Sequence, residues 1–167
     1  MGFLKKLFGG NDAGNTKIAS ALTGKIVNIE NVPDQVFSQK MMGDGVAIEP
    51  TEGKVVSPIN ATVETIFPTK HAIGLKGEDG LELLIHVGLD TVNLKGEGFT
   101  AHVQSGDKVK AGDVLVEFDL EYIRANAPST ITPIIVTNHD QFTLSAVPAE
   151  GTSVVAGDTE LFKATHK

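Results

Sequence analysis

The 167-residue chain has no cysteine and no tryptophan. Without thiols it can hold no disulfide framework, thiolate zinc site or iron–sulfur cluster, and no cysteine nucleophile. Aromatic side chains are sparse, with eight phenylalanines and one tyrosine. Long apolar runs are also missing. The longest uncharged stretch, Ala125 to His139, covers 15 residues and contains Pro128 and Pro133, whereas a membrane span needs about 20 apolar residues. Positive charge is scarce: 14 Lys and Arg stand against 21 Asp and Glu, a formal net charge of −7. A nucleic-acid binder would need a basic footprint, so nucleic acid is excluded as a partner, and cationic partners are favoured. Lys5 and Lys6 interrupt the apolar start before a signal sequence can form. With the lack of cysteine, this suggests a cytoplasmic protein.

Glycine, by contrast, is abundant, with 18 residues. Most of them punctuate short segments of strand chemistry, as in Gly43-Asp44-Gly45, Glu78-Asp79-Gly80, Gly106-Asp107, Gly112-Asp113 and Gly157-Asp158. Strands are expected near Lys25–Ile29, Val46–Ile48, Lys54–Ile59, Thr62–Phe67, Ile73–Lys76, Leu81–Leu89, Val114–Phe118, Ile131–Thr137 and Val154–Val155. Only Leu120–Ala127 looks helical beyond the N-terminus, and Pro128 ends it. Many short strands at near-regular spacing imply an all-β sandwich or barrel.

Two domain segments are expected. Residues 1–17 read as a short amphipathic helix followed by a flexible linker, with Phe3, Leu4, Leu7 and Phe8 on one face. That helix could contact an anionic membrane weakly, or be an unstructured start. Residues 18–167 read as one β domain. Gly106–Asp113 echoes Gly151–Asp158 at an offset of 45, and Thr23–Ile29 loosely echoes Asn60–Ile66. Either a β motif is duplicated or one turn chemistry is used twice.

The chemistry-bearing segment runs from Thr69 to Asp90. In Leu81–Asp90 the odd positions are wholly apolar, while Glu82, Leu84, His86, Gly88 and Asp90 share the other face. A two- or four-residue turn centred on Glu78-Asp79 places His71 directly opposite His86, with Ile73 opposite Leu84 and Leu75 opposite Glu82. Directly opposed Cβ atoms lie roughly 5 Å apart. Such a pair could bind zinc with a third ligand, act as nucleophile and helper toward phosphorus, or be inert. His102, His139 and His166 share none of this context.

Several motifs resemble one known family: Asp34–Gly45, Phe67-Pro-Thr-Lys-His-Ala72, His86–Val92, Leu94–Phe99 and Thr132-Pro133. The family is the glucose-type IIA phosphocarrier of the bacterial phosphoenolpyruvate-dependent sugar phosphotransferase system, and the resemblance covers about Ile18 to Val155. It implies an antiparallel β-sandwich or flattened barrel of the duplicated hybrid motif type, with short helical turns. It implies a phosphotransferase component in which His86 is phosphorylated at Nε2 and His71 assists transfer. Thr69 would orient His71, and the Gly88 carbonyl would fix the His86 tautomer. Asp34 and Asp90 would flank the site and suit an arginine of the donor phosphocarrier HPr. Val36, Phe37, Ile73 and Leu84 would form the partner-binding apolar patch. The acceptor would be a cysteine on a IIB domain of a sugar permease. No cofactor is required on this reading, and zinc would bind His71 and His86 only where a partner adds a ligand. Leu84 departs from the family, being aromatic in some relatives. The start resembles the free-standing form, whose relatives in some bacteria also bind regulatory targets among transport and metabolic proteins. Two other readings compete. One is a biotinyl- or lipoyl-like carrier, suggested by Gly106–Asp113, with Lys40 as the modified residue. The other is a zinc hydrolase of related fold using His71, His86 and Asp90.

Overall fold

A computed structural model describes residues 15–167. The expected N-terminal helix and most of its linker therefore lie outside the described residues. The first strand already begins at Asn15, upstream of the boundary expected at residue 18. Among the described residues, every named strand pairing is antiparallel, and the strands form three sheets.

Numbered in chain order, the largest sheet runs β13 (Ser153–Val154), β2 (Gly24–Asn28), β3 (Asp44–Pro50), β11 (Thr132–Val136), β7 (Glu82–His86), β6 (Ala72–Gly77), β5 (Ala61–Ile66) and β9 (Lys108–Val109). A second sheet orders β1 (Asn15–Ala19), β14 (Glu160–His166) and β12 (Phe142–Ser145). The third orders β4 (Lys54–Val56), β10 (Val114–Phe118) and β8 (Phe99–Ala101). The architecture is a β-sandwich; among the described residues the sheets keep free edges and do not close into the flattened barrel that was the other expectation.

Strand periodicity divides the apolar residues into two cores. Leu83 and Ile85 of β7 join Ile26, Ile48, Ile73, Leu75, Ile134, Leu115 and Phe162 in the main core between the sheets. Leu84 points the other way, into a smaller cluster with Ile29, Val32, Phe37, Ala47, Ala72, Leu89 and Ile135. Each fully buried Leu, Ile or Phe contributes roughly 1.5–3 kcal/mol. β11 lies between β3 and β7 and is buried along its whole length, so it reads as an apolar run rather than an alternation.

The internal echo is a true structural repeat. Ser20 Oγ donates to the Leu22 carbonyl and Ser57 Oγ to the Ile59 carbonyl, both at 2.6 Å. The amide of Gly157 donates to Ser20 O, and that of Gly112 to Ser57 O, both at 2.8 Å. Thr23 Oγ1 and Asn60 Oδ1 accept from the amides of Ala156 and Ala111. Gly151 N donates to Ile26 O as Gly106 N donates to Val63 O. Two copies of one β motif thus interlock, each completed by a later segment of the chain.

The register at the histidines differs from the expectation. His86 pairs with Ala72 rather than His71, Ile85 with Ile73, and Leu84 with Gly74. The turn is the cause. Gly80 N donates to Gly77 O at 3.0 Å and Gly77 N to Leu81 O at 2.8 Å, with Gly80 at φ +91°. This is a three-residue loop closed by a left-handed glycine, which moves the pairing by one residue relative to a two-residue turn. Ile73 consequently faces the main core and is fully buried. It is removed from the partner-binding patch in which it was expected.

Two short helices follow acidic caps. Asp34 Oδ1 accepts from Val36 N at 2.9 Å and opens α1 (Gln35–Ser38), an element absent from the sequence reading. Asp119 opens α2 (Leu120–Asn126), which ends ahead of Pro128 as expected. Both caps satisfy an amide that the helix itself leaves unpaired.

Candidate functional site

His86 ends β7 on the outer face of the large sheet, the face shared with Leu84. His71 precedes the first residue of β6, and its carbonyl accepts from Val87 N at 2.7 Å. Ladder geometry alone would send residue 71 away from residue 86, since it lies across from Val87. The chain leaves the ladder there: Lys70 N donates to Phe67 O, Phe67 N donates to Ala72 O, and Lys70 adopts φ +63°. This turn delivers the His71 ring to His86, edge to face, with centroids 4.9 Å apart and planes at 82°. The side-by-side imidazoles expected from the sequence are present, by a different route.

Each ring is fixed by its Nδ1. His86 Nδ1 lies 2.8 Å from the Gly88 carbonyl. A carbonyl only accepts, so this nitrogen carries the proton and Nε2 of the neutral ring keeps its lone pair. Gly88 reaches this pose at φ +72°, and a Cβ there would lie 2.6 Å from Thr91 Cγ2 and 3.0 Å from the Ser129 carbonyl. His71 Nδ1 lies 2.5 Å from Thr69 Oγ1. With the hydroxyl donating to Nδ1, His71 presents an Nε2–H.

Both rings are held neutral. Burial pushes His71 down to about 4, and the neighbouring charge of His86 adds to this. Burial also lowers His86, against the opposing pull of the Gly88 carbonyl and the carboxylates of Asp34 and Asp90. His71 is 3% exposed, while His86 is half-buried and reachable from solvent.

The surroundings are apolar. Phe37 packs on His86 with ring centroids 5.1 Å apart, and Phe67 meets His71 edge-on at 5.5 Å. Phe37 and Leu84 are buried beneath the site, whereas Val36, Phe67 and Val92 are exposed. Phe67 and Val92 were not singled out as patch residues. Their signal lay in their places beside the Pro68-Thr69 turn and the Asp90-Thr91 turn. The larger clefts, of about 430 and 500 Å³, are lined by other residues, near Gly53 and Phe118 and near Thr23 and Gly157. The histidines sit on a face rather than in those clefts.

The other candidates fall elsewhere. His102 bonds Glu117, and His166 bonds the Asp79 carbonyl and stacks on Phe142. Lys40, the alternative modification site, is paired with Glu30 and Asp44. Among the described residues no three His, Asp or Glu side chains converge as a metal site, so His71, His86 and Asp90 do not form the triad a zinc hydrolase needs.

Comparison with known proteins gives the family. Residues 16–142 match the family model for the phosphoenolpyruvate-dependent sugar phosphotransferase system, EIIA 1. The chain is 56% identical over 163 residues to the PTS system glucose-specific EIIA component of Staphylococcus epidermidis, covering 96% of this chain and 98% of the relative. It is 55% identical over 164 residues to the component of the same name from Bacillus cereus, covering 98% and 99%. The structure superimposes on glucose permease IIA from Mycoplasma capricolum with a TM-score of 0.84 at 40% identity, covering 89% and 95%. The chain belongs to the EIIA 1 family of the sugar phosphotransferase system.

Proposed function

We propose that this chain is a phosphocarrier for glucose uptake that accepts a phosphoryl group on His86 Nε2 from phospho-HPr and passes it to a cysteine of a IIB domain. The bond from His86 Nδ1 to Gly88 O carries this reading, because it leaves Nε2 as the nucleophilic atom. In the forward step the Nε2 lone pair forms the bond to phosphorus. The bond to the donor breaks, and its electron pair stays with the donor. In the onward step a cysteine thiolate attacks phosphorus, and the Nε2 electron pair returns to a neutral imidazole. His71 Nε2–H donates to the phosphoryl oxygens, where negative charge is concentrated. A neutral helper avoids desolvating a second charge, in keeping with the depressed basicity of His71.

Asp34 and Asp90 draw a basic donor, and Val36 with the exposed Phe67 and Val92 gives that donor an apolar seat. A relay between proteins needs such a face rather than a deep pocket. The family resemblance and the zinc chemistry of imidazole also suggest that a partner contributing further ligands could share a zinc ion with His71 and His86. His86 Nε2 is free to ligate, and His71 Nε2 would join it once its proton moves to Nδ1 with the Thr69 hydroxyl accepting, so the pair would supply half of a tetrahedral set that cross-links two chains. Among the described residues no helix is long and apolar enough to cross a membrane, and we place the carrier in the cytoplasm, where its donor is made.

The test is labelling with radioactive phosphoenolpyruvate, enzyme I and HPr. An acid-labile, alkali-stable label that disappears in His86→Gln is expected; undiminished labelling of that variant rejects the site.

A further inference from the structure

The reaction uses the Gly88 carbonyl, yet glycine is the residue least able to hold a carbonyl in one direction by itself. Both peptide groups flanking Gly88 are tied down by groups outside the mechanism described above. Thr91 Oγ1 donates to the Val87 carbonyl, and Gly88 N donates to Thr132 Oγ1 at 3.4 Å. These two bonds grip opposite ends of the Val87–Gly88 peptide. The next peptide is held by Leu89 N donating to Ser129 O at 3.0 Å. Thr91 and Thr132 are both fully buried. Thr132 stands in an otherwise apolar strand, where a hydroxyl is costly unless bonded, and its own hydrogen goes to Thr130 O at 3.0 Å.

We infer that Thr91 and Thr132 are positioning residues for phosphoryl acceptance: their hydroxyls clamp the Val87–Gly88 peptide and, with the Leu89 N–Ser129 O bond on the next peptide, fix both sides of Gly88 so that its carbonyl meets His86 Nδ1. The inference rests on the phosphocarrier reading for its consequence, but its geometry concerns the tautomer alone. Without the clamp only the Leu89 N–Ser129 O bond restrains the peptide that carries the Gly88 carbonyl, so Nδ1 holds its acceptor less firmly and part of the population moves its proton to Nε2, which then cannot attack phosphorus. The contact to Thr132, at 3.4 Å, lies at the long end of the hydrogen-bond range, so Thr91 is the first of the two to substitute.

Packing and hydroxyl roles separate by substitution. Thr91→Val keeps the methyl group that lies against Gly88 and deletes the hydroxyl; Thr91→Ser does the opposite. The protonated nitrogen of His86 is read on the unphosphorylated, ¹⁵N-labelled full chain by long-range ¹H–¹⁵N correlation at about pH 7.5, where imidazole is neutral. Wild type and Thr91→Ser should show the proton on Nδ1 alone. Thr91→Val should show a mixture of tautomers and accept phosphate from phospho-HPr about tenfold more slowly, as loss of an outer-shell partner does elsewhere. A single Nδ1–H form with an unchanged rate in Thr91→Val overturns the inference, as does loss of the tautomer in Thr91→Ser alone. Should Thr91→Val fail to fold, Thr132→Val is read by the same criteria. Since the tautomer is observed without any phosphoryl donor, failure of the clamp and failure of the phosphocarrier reading give different results.

Discussion

His71 meets His86 edge-on, with centroids 4.9 Å apart, although no cross-strand pair joins them. The contact depends on the turn from Phe67 to His71 and on the Thr69 hydroxyl beneath the ring. The two histidines are therefore held by separate local devices and should fail separately.

Replacing His71 with Gln should leave phosphorylation of His86 measurable but slow the onward transfer to a IIB cysteine by about a hundredfold, the scale of a lost proton donor. Rapid-quench transfer from the purified phosphoprotein measures this directly. Onward transfer at the wild-type rate would remove His71 from the mechanism.

Thr69→Val should produce a milder form of the same defect, about tenfold, because the ring stays packed against Phe67 while losing its Nδ1 partner. Thr69→Ser should restore the rate. Equal rates in both variants would show that the hydroxyl does not set the ring.

The depressed basicity of His71 links the site to acid stability. Its folded-state value is about 4 against an ordinary 6.5, so between those values the unfolded chain binds the extra proton. Stability from this group is full above about pH 6.5 and is lost as the pH falls toward 4. Urea denaturation at several pH values should show His71→Gln losing less stability than wild type across that window. Parallel curves for the two proteins would contradict the assignment.

Gly88 and Gly80 both have positive φ but differ in their neighbours. At Gly88 a Cβ meets Thr91 and Ser129, whereas at Gly80 nothing lies within 4 Å. Gly80→Ala should cost about 1 kcal/mol of backbone strain and retain activity. Gly88→Ala should cost about 2–4 kcal/mol and slow phosphoryl acceptance, adding overpacking to strain. Denaturation and labelling of the two variants side by side decide this.

Charge placed on the exposed rim should affect docking but not chemistry. Val36→Asp or Val92→Asp should raise KM for phospho-HPr about tenfold, equivalent to roughly 1.4 kcal/mol, with kcat little changed. A fall in kcat at constant KM would move these residues from the docking face into the reaction.

Much of this protein is legible in its sequence because strand and turn signals are local. The alternation in Leu81–Asp90 foretells which side chains of β7 enter the main core and which share a face with His86. The proline at 128 foretells the end of α2, while the matching Gly-Asp turns leave the repeat as one of two readings, which the paired hydrogen bonds at Ser20 and Ser57 decide. The short helix after Asp34 is not legible in the same way, since four residues leave no periodicity and only the cap announces it.

What the sequence by itself determined is the inventory: strands by period, turns by glycine, and His71 and His86 as the residues with chemistry to offer. Tertiary structure decided the rest. The left-handed pose of Gly80 selected the hairpin register and sent Ile73 into the main core. Departure of the chain from the ladder at Lys70 and at Gly88 brought the two imidazoles together and set a carbonyl on one of them. Such features depend on the sign of a single backbone angle and on partners far along the chain, as Ser129 and Thr132 are from Gly88. A periodic pattern of residue types carries neither.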